Sequence, residues 1–261
     1  MNINLKEDVF GKIRDEVIEW DKNNRKEIER LTDQEKFRRE FLGNVSHELK
    51  TPIFSIQGYI LTLLEGGLSD KKVNRSFLLK AEKSINRMIE MVDDLDEISK
   101  LESNRIGLNT QRFNLYDLAK EVIDSLEYKA EKKNISLHIA NSTDDFFAEA
   151  DAGKISQVLT NLIVNSINYG KEGGKTTIKC YDLDENILVE VKDNGRGIQK
   201  EHLPRLFERF YRIDKGRSRD EGGSGLGLAI VKHIIEAHEQ TINVRSTPEE
   251  GSVFSFTLKK A

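Results

Sequence analysis

Val189-Glu190-Val191-Lys192-Asp193-Asn194-Gly195-Arg196-Gly197-Ile198 decides the second half of this chain. Residues 187–191 read as a strand, and the Asp-Asn-Gly that follows ends it in a turn. Asp193 at the strand end can accept a hydrogen bond from an exocyclic amine. Gly195 and Gly197 let a ligand come close to the backbone. An Asp-x-Gly-x-Gly run is equally a good plain turn.

Outward from this strand, helices and strands alternate. Asn114 is a cap for a helix over residues 115–133, and residues 135–140 and 146–150 read as strands. A helix follows over residues 152–169, then a strand at 176–181. A glycine-rich region opens a helix at 226–238, and strands at 241–246 and 252–258 close the chain. The pattern predicts an α+β two-layer sandwich from residue 112 to 261, with helices on one face of a mixed sheet.

The first half reads as helix. Val17, Trp20, Ile28, Leu31, Phe41 and Val45 recur at three- and four-residue steps between charged runs. So narrow a stripe fits a coiled-coil seam; a charged surface helix on a monomer is the other reading of residues 12–40. The pattern continues to Leu64 and stops at Gly66-Gly67. Asp70 then caps a second helix whose apolar face is Val73, Phe77, Leu78, Ala81, Ile85, Met88, Ile89, Val92, Leu95 and Ile98. A lone helical hairpin cannot bury both stripes, so two copies pairing as a four-helix bundle is the natural solution. The expected divisions are residues 1–35 (coiled-coil helix), 36–108 (helical hairpin) and 112–261 (sandwich).

The 261 residues include 41 Lys and Arg against 45 Asp and Glu, a formal charge of −4. That balance argues against nucleic-acid binding, which needs a basic face. The single cysteine, Cys180, excludes an internal disulfide and suits a reducing, cytoplasmic setting. No run of about 18 apolar residues offers a membrane span, and the opening MNINLKEDVF lacks the layout of a secretory signal.

Three further segments accompany Asp193. On the helix Ile155–Tyr169, Asn161, Asn165, Asn168 and Tyr169 share one stripe opposite Ile155, Val158, Leu159, Leu162 and Ile163. Carboxamide oxygens suit Mg2+, which keeps waters and substrate phosphates in its shell; a solvated polar face is the plain alternative. In Leu206–Arg212, Arg209 or Arg212 can face phosphate while Phe207 and Phe210 anchor the segment, or the two aromatics are simply core. Gly222–Ile230 runs a glycine loop into a helix N-terminus, a ready phosphate cradle. It is neither a Walker A loop nor a dinucleotide fingerprint, because Leu228-Ala229 follows Gly227. The charged stretch Asp214–Gly223 reads as a lid.

In the first helix, His47 is followed by Glu48 and, one turn on, by Thr51 and Pro52. An adjacent acid raises an imidazole's basicity and selects its tautomer. Pro52 removes a backbone donor and loosens the helix there. The zinc-protease HExxH fails because Thr51 holds its fifth place; a surface histidine beside a kink is the bland reading.

These segments together resemble the sensor histidine kinases of two-component systems. His47–Pro52 is similar to their H box, Asn161–Asn165 to the N box, Asp193–Gly197 to the first glycine box, Phe207–Phe210 to the F box, and Gly223–Gly227 to the second glycine box. The H-box region also resembles that of PhoR-like sensors. The resemblance implies a homodimeric phosphoacceptor hairpin followed by a Bergerat-type ATP-binding sandwich, the cytosolic portion of a membrane-bound sensor. It implies that Asn165 coordinates Mg2+ near Asn161 and the phosphates, that Asp193 recognises the adenine amine and Tyr169 packs on the base. The backbone of Gly223, Gly225, Leu226 and Gly227 would then hold the triphosphate of ATP. The expected activity is ATP-dependent autophosphorylation of His47, assisted by Glu48, then transfer to an Asp of a response-regulator receiver domain, with Thr51 serving the reverse dephosphorylation.

Four positions depart from the pattern. Asn168 stands where a phosphate-contacting Lys is common, so Lys215, Arg217 or Arg219 is expected to compensate. His238-Glu239-Gln240 replaces His-Gly-Gly, and Glu249 replaces a glycine before Gly251.

Overall fold

The structure is a computed structural model and describes residues 5–102, 107–140, 146–213 and 224–261. The chain divides into two units, residues 1–55 and 56–261.

In the first unit, helix α1 begins at Leu5; it ends at Leu64. Its Arg25–Asp21, Arg30–Glu27 and Arg39–Glu35 pairs stand three or four residues apart on exposed faces. Ile13, Val17, Trp20, Ile28 and Leu31 are exposed as well, so the apolar stripe is uncovered within one chain. Pro52 lies inside α1 without ending it. In that turn the Thr51 hydroxyl donates to the carbonyl of His47 (3.4 Å) and Ser55 donates to the carbonyl of Thr51 (3.0 Å).

In the second unit a short 3-10 turn at Gly67–Ser69 leads to helix α2, Lys71–Glu102. Asp70 caps it, its Oδ1 accepting from the amides of Lys72 and Val73. One expected feature of α2 is corrected. Met91, absent from the apolar face read from the sequence, is fully buried, whereas Leu78, Ile85, Ile89 and Val92 stay exposed. The helix thus carries two apolar stripes, one covered and one open.

The sandwich follows. Strand β1 (Gln111–Asn114) was not anticipated; it pairs antiparallel with β3 (Phe147–Ala150) as a separate small sheet. Asn114 ends β1 and caps α3 (Leu115–Glu131), its Oδ1 accepting from the Tyr116 amide at 2.8 Å. Strands β2 (Ser136–Ile139), β4 (Lys175–Leu183), β5 (Asn186–Asp193), β6 (Ile242–Thr247) and β7 (Gly251–Lys259) form a mixed sheet in the order β2-β4-β5-β7-β6. Only the β2–β4 pairing is parallel. Helices α3, α4 (Ala152–Tyr169) and α5 (Gly227–Ala237) cover it. Ile155, Leu159, Leu162 and Ile163 of α4 are buried with Ile178, Ile187, Val189, Val191, Phe254 and Phe256 of the sheet. Each such side chain contributes about 1.5–3 kcal/mol on burial.

The end of α5 explains how Glu239 serves where a glycine is usual. Gln240 donates to Ile235 O and Glu239 to Glu236 O, the pairings of a Schellman turn, with Glu239 at φ 58°. A left-handed residue with a Cβ is strained. Glu239→Gly is therefore expected to stabilise the protein by about 1 kcal/mol, a rise of roughly 2–4 °C in a thermal melt. An unchanged or lower Tm would show that the turn carries no strain.

Candidate functional site

In the first unit His47 is exposed, with 70% of its side chain open, and its Nδ1 lies 3.8 Å from Glu48 Oε1. Glu48 is three-quarters covered, its side chain 24% exposed. The carboxylate therefore stands on the Nδ1 side of the ring.

In the second unit strand periodicity places Asp193. Ile187, Val189 and Val191 face the helices, so the next odd position carries its carboxylate to the same side at the end of β5. Its Oδ1 accepts from the amides of Gly195 (2.8 Å) and Ser252 (3.2 Å). Burial pushes this carboxyl above the usual carboxylate range, against the downward pull of those bonds. Close backbone contacts fix the cradle. A Cβ on Gly197 (φ 67°) would stand 2.0 Å from Thr247 O, and one on Gly251 2.1 Å from Asp193 O. A Cβ on Gly195 would lie 2.8 Å from Asp193 Oδ1 and 2.9 Å from Tyr169 O, which brings the end of α4 against the same turn.

The asparagines of α4 divide. Asn161 has a buried Nδ2 with no hydrogen-bond partner, and its side chain lies in contact range of Gly227 at the start of α5. Asn165 is half-buried, one turn on. Asn168 is instead buried, and its main-chain oxygen accepts from Lys133 Nζ at 3.1 Å, a cation at the negative end of α4. Tyr169 remains substantially exposed, and the Arg196 guanidinium lies 5.6 Å over its ring.

The F-box segment meets the glycine loop through its backbone. Phe210, at φ 60°, donates to Gly225 O (2.9 Å), and a Cβ on Gly225 (φ 75°) would lie 2.9 Å from Phe210 Cα. Phe207 packs edge-on against Phe254. Arg209 turns to α5, its Nη2 3.1 Å from His233 Nε2, and burial lowers both groups below their usual values. The guanidinium donates, so His233 accepts as the neutral ring. Arg209 thus ties the segment to α5, while Arg212 lies beside Gly225. Leu226 is fully buried, and its amide donates to Ser224 Oγ. Gly223 and the lid stretch Asp214–Gly223, with Lys215, Arg217 and Arg219, lie outside the described residues.

His238 has a structural role. Its Nε2 accepts from the Asp151 amide (3.0 Å) and its Nδ1 donates to Ile234 O (2.8 Å), joining the end of α5 to the cap of α4.

This arrangement fits a nucleotide with Mg2+. A side-chain amide without a partner beside the start of α5, a half-buried carboxylate and an oxygen donor from Asn165 are what a purine, its phosphates and a hard cation require.

Comparison with known proteins agrees with this geometry. Residues 37–104 match the His Kinase A (phospho-acceptor) domain, and residues 150–261 the histidine kinase-, DNA gyrase B- and HSP90-like ATPase family. The catalytic domain of the histidine kinase ThkA is 32% identical; this chain covers 96% of it with 58% of its own length, at a TM-score of 0.51. The chain belongs to the histidine kinase family. The sensor histidine kinase WalK of Bacillus subtilis (strain 168) is 39% identical over 234 residues, 87% of this chain and 38% of that protein. ThkA in complex with the response regulator TrrA is 30% identical over 85% of this chain and 61% of that one, at a TM-score of 0.71. The chain thus spans well under half of the Bacillus relative, and that relative is a WalK rather than a PhoR. Among the described residues no helix is long and apolar enough to cross a membrane.

Proposed function

We propose that this chain is the kinase core of a sensor histidine kinase, which phosphorylates His47 from ATP and passes the group to an Asp of a response regulator. The observation that carries this reading is the half-buried polar rim of the sandwich. Desolvation raises the Asp193 carboxyl although two amides serve its Oδ1, and the Nδ2 of Asn161 is buried with no partner; a bound ligand would offset both costs.

In the reaction, the Nε2 lone pair of neutral His47 attacks the γ-phosphorus in line. The N–P bond forms as the bond to the β,γ-bridging oxygen breaks, and ADP leaves with that electron pair. Glu48, on the Nδ1 side, stabilises the charge that develops on the ring and receives its proton. Asp193 accepts from the adenine amine and Tyr169 packs on the base. Asn161, Arg212 and the amides of the Gly223–Gly227 loop position the phosphates. Mg2+, held by Asn165, would neutralise the phosphate oxygens.

The organisation we propose is a signalling helix over residues 1–35, a dimerising phosphoacceptor hairpin over 36–108 and a catalytic sandwich over 112–261. The uncovered Ile13, Val17, Trp20, Ile28 and Leu31 support pairing of two copies. A receiver domain as partner is supported by the ThkA relative, which is known with its regulator. A cytoplasmic location, as the cytosolic part of a membrane-tethered sensor, completes the reading.

The test is incubation with γ-labelled ATP and Mg2+. Label that is acid-labile and alkali-stable is expected; none on folded, paired protein at saturating nucleotide overturns the assignment. Thr51, one turn beyond His47, would position water for dephosphorylation of the regulator. Thr51→Ala is expected to leave autophosphorylation intact and slow that dephosphorylation roughly tenfold or more. Equal loss of both would reject the role.

A further inference from the structure

Helix α2 bears Met91, Asp94, Glu97 and Ile98 on one stripe. Met91 and Ile98 are fully buried, and α2 packs on α5. Two acids of this stripe make specific bonds to the sandwich. Glu97 accepts from Lys154 and Gln157 in the first half of α4. Asp94 Oδ2 accepts from Ser224 Oγ at 2.7 Å, and that same Oγ accepts from the Leu226 amide at 3.1 Å. Asp94 therefore sits, through one hydroxyl, at the positive end of α5, where a helix favours an anion. Its environment is otherwise unfavourable to charge. Burial pushes the carboxyl up, Ser224 pulls it down, and Glu90, Glu97 and Asp93 push it up further.

This is also the end to which the proposed function assigns the nucleotide phosphates, and the present inference rests on that reading. We propose that Asp94 and the phosphates are rival anions for the start of α5, so that nucleotide binding and the docking of α2 on the sandwich oppose one another. The phosphates of a nucleotide beside the Ser224 hydroxyl repel the Asp94 carboxylate and compete for its donor. Release of Asp94 leaves the tie from Glu97 to α4 in place. The coupling is reciprocal: the factor by which docking weakens nucleotide binding is the factor by which nucleotide weakens docking. The kinase core then carries its own counter-ion, and arrival of nucleotide frees the sandwich from α2.

The experiment is calorimetric titration of the full chain with Mg·ADP, for the parent, Asp94→Asn and Glu97→Gln. It is paired with the acetylation rate of Lys154 followed by mass spectrometry. Asn at 94 still accepts from Ser224 and Gln at 97 preserves size, so both variants are expected to melt like the parent. Asp94→Asn is expected to bind Mg·ADP about fivefold or more tightly, and Glu97→Gln more tightly by a smaller factor. Mg·ADP is expected to speed acetylation of Lys154 in the parent. Unchanged or weaker binding by folded Asp94→Asn, or a Lys154 rate indifferent to Mg·ADP, overturns the rivalry and leaves the ATP reading standing. A folded parent that binds no nucleotide overturns both.

Discussion

A chain carrying His47→Gln is expected to bind Mg·ATP as the parent does and to take up no acid-labile phosphate. The reason lies in the replaced atom. Imidazole Nε2 has an in-plane lone pair free to form the N–P bond, whereas the glutamine amide nitrogen has its pair delocalised into the carbonyl. His47 is 70% open to solvent, so its loss removes little packing. A change in stability within about 0.5 kcal/mol is expected. Label is read after acid and alkali treatment, and nucleotide affinity and Tm are measured on the same preparation. Acid-labile phosphate that persists in the variant would move the acceptor elsewhere. Loss of label together with loss of nucleotide binding would mean that the substitution acted through the fold, against the exposure of this side chain.

Much of this was legible because it follows from short-range periodicity. Period-2 alternation puts Asp193 on the helix side of β5, and period-3.6 spacing separates Asn161 and Asn165 from the apolar face of α4. Asp70 and Asn114 announce their helices because an orphan amide needs an oxygen within two or three residues. What stayed hidden depends on long-range pairing. β1 has four residues, and only its register with β3 makes it a strand. Arg209 looked like a phosphate ligand because an arginine beside a glycine loop satisfies that description. It takes three-dimensional placement to bring His233 to it, 24 residues away. Nothing near Asp94 or Glu97 in the sequence signals Ser224 or Lys154 as their partners. Glu239 and Glu249 show the opposite lesson. The backbone keeps the left-handed conformation, at φ 58° and 67°, although the residue is not glycine.

Asp193→Asn should separate recognition from stability. The variant keeps Oδ1 as acceptor for the Gly195 and Ser252 amides, so the cradle is retained. It replaces the other oxygen by an NH2, which confronts the adenine amine with a donor. Affinity for Mg·ATP is expected to fall roughly a hundredfold or more, because a buried donor is left facing a donor. Stability moves the other way. Burial raises this carboxyl in the folded state, so the native chain holds its proton to higher pH than the unfolded chain does. Stability then falls as pH rises through the window from the ordinary carboxylate range up to the raised value, and stays lower above it. The neutral amide has no such loss. The stability difference, variant minus parent, is therefore expected to grow in the variant's favour across that window and to level off above it. Denaturant melts at several pH values measure that difference, and calorimetry measures the affinity. A variant that binds nucleotide like the parent removes Asp193 from base recognition. A stability difference that runs the other way shows instead that the amide bonds to Oδ1 outweigh the burial of charge.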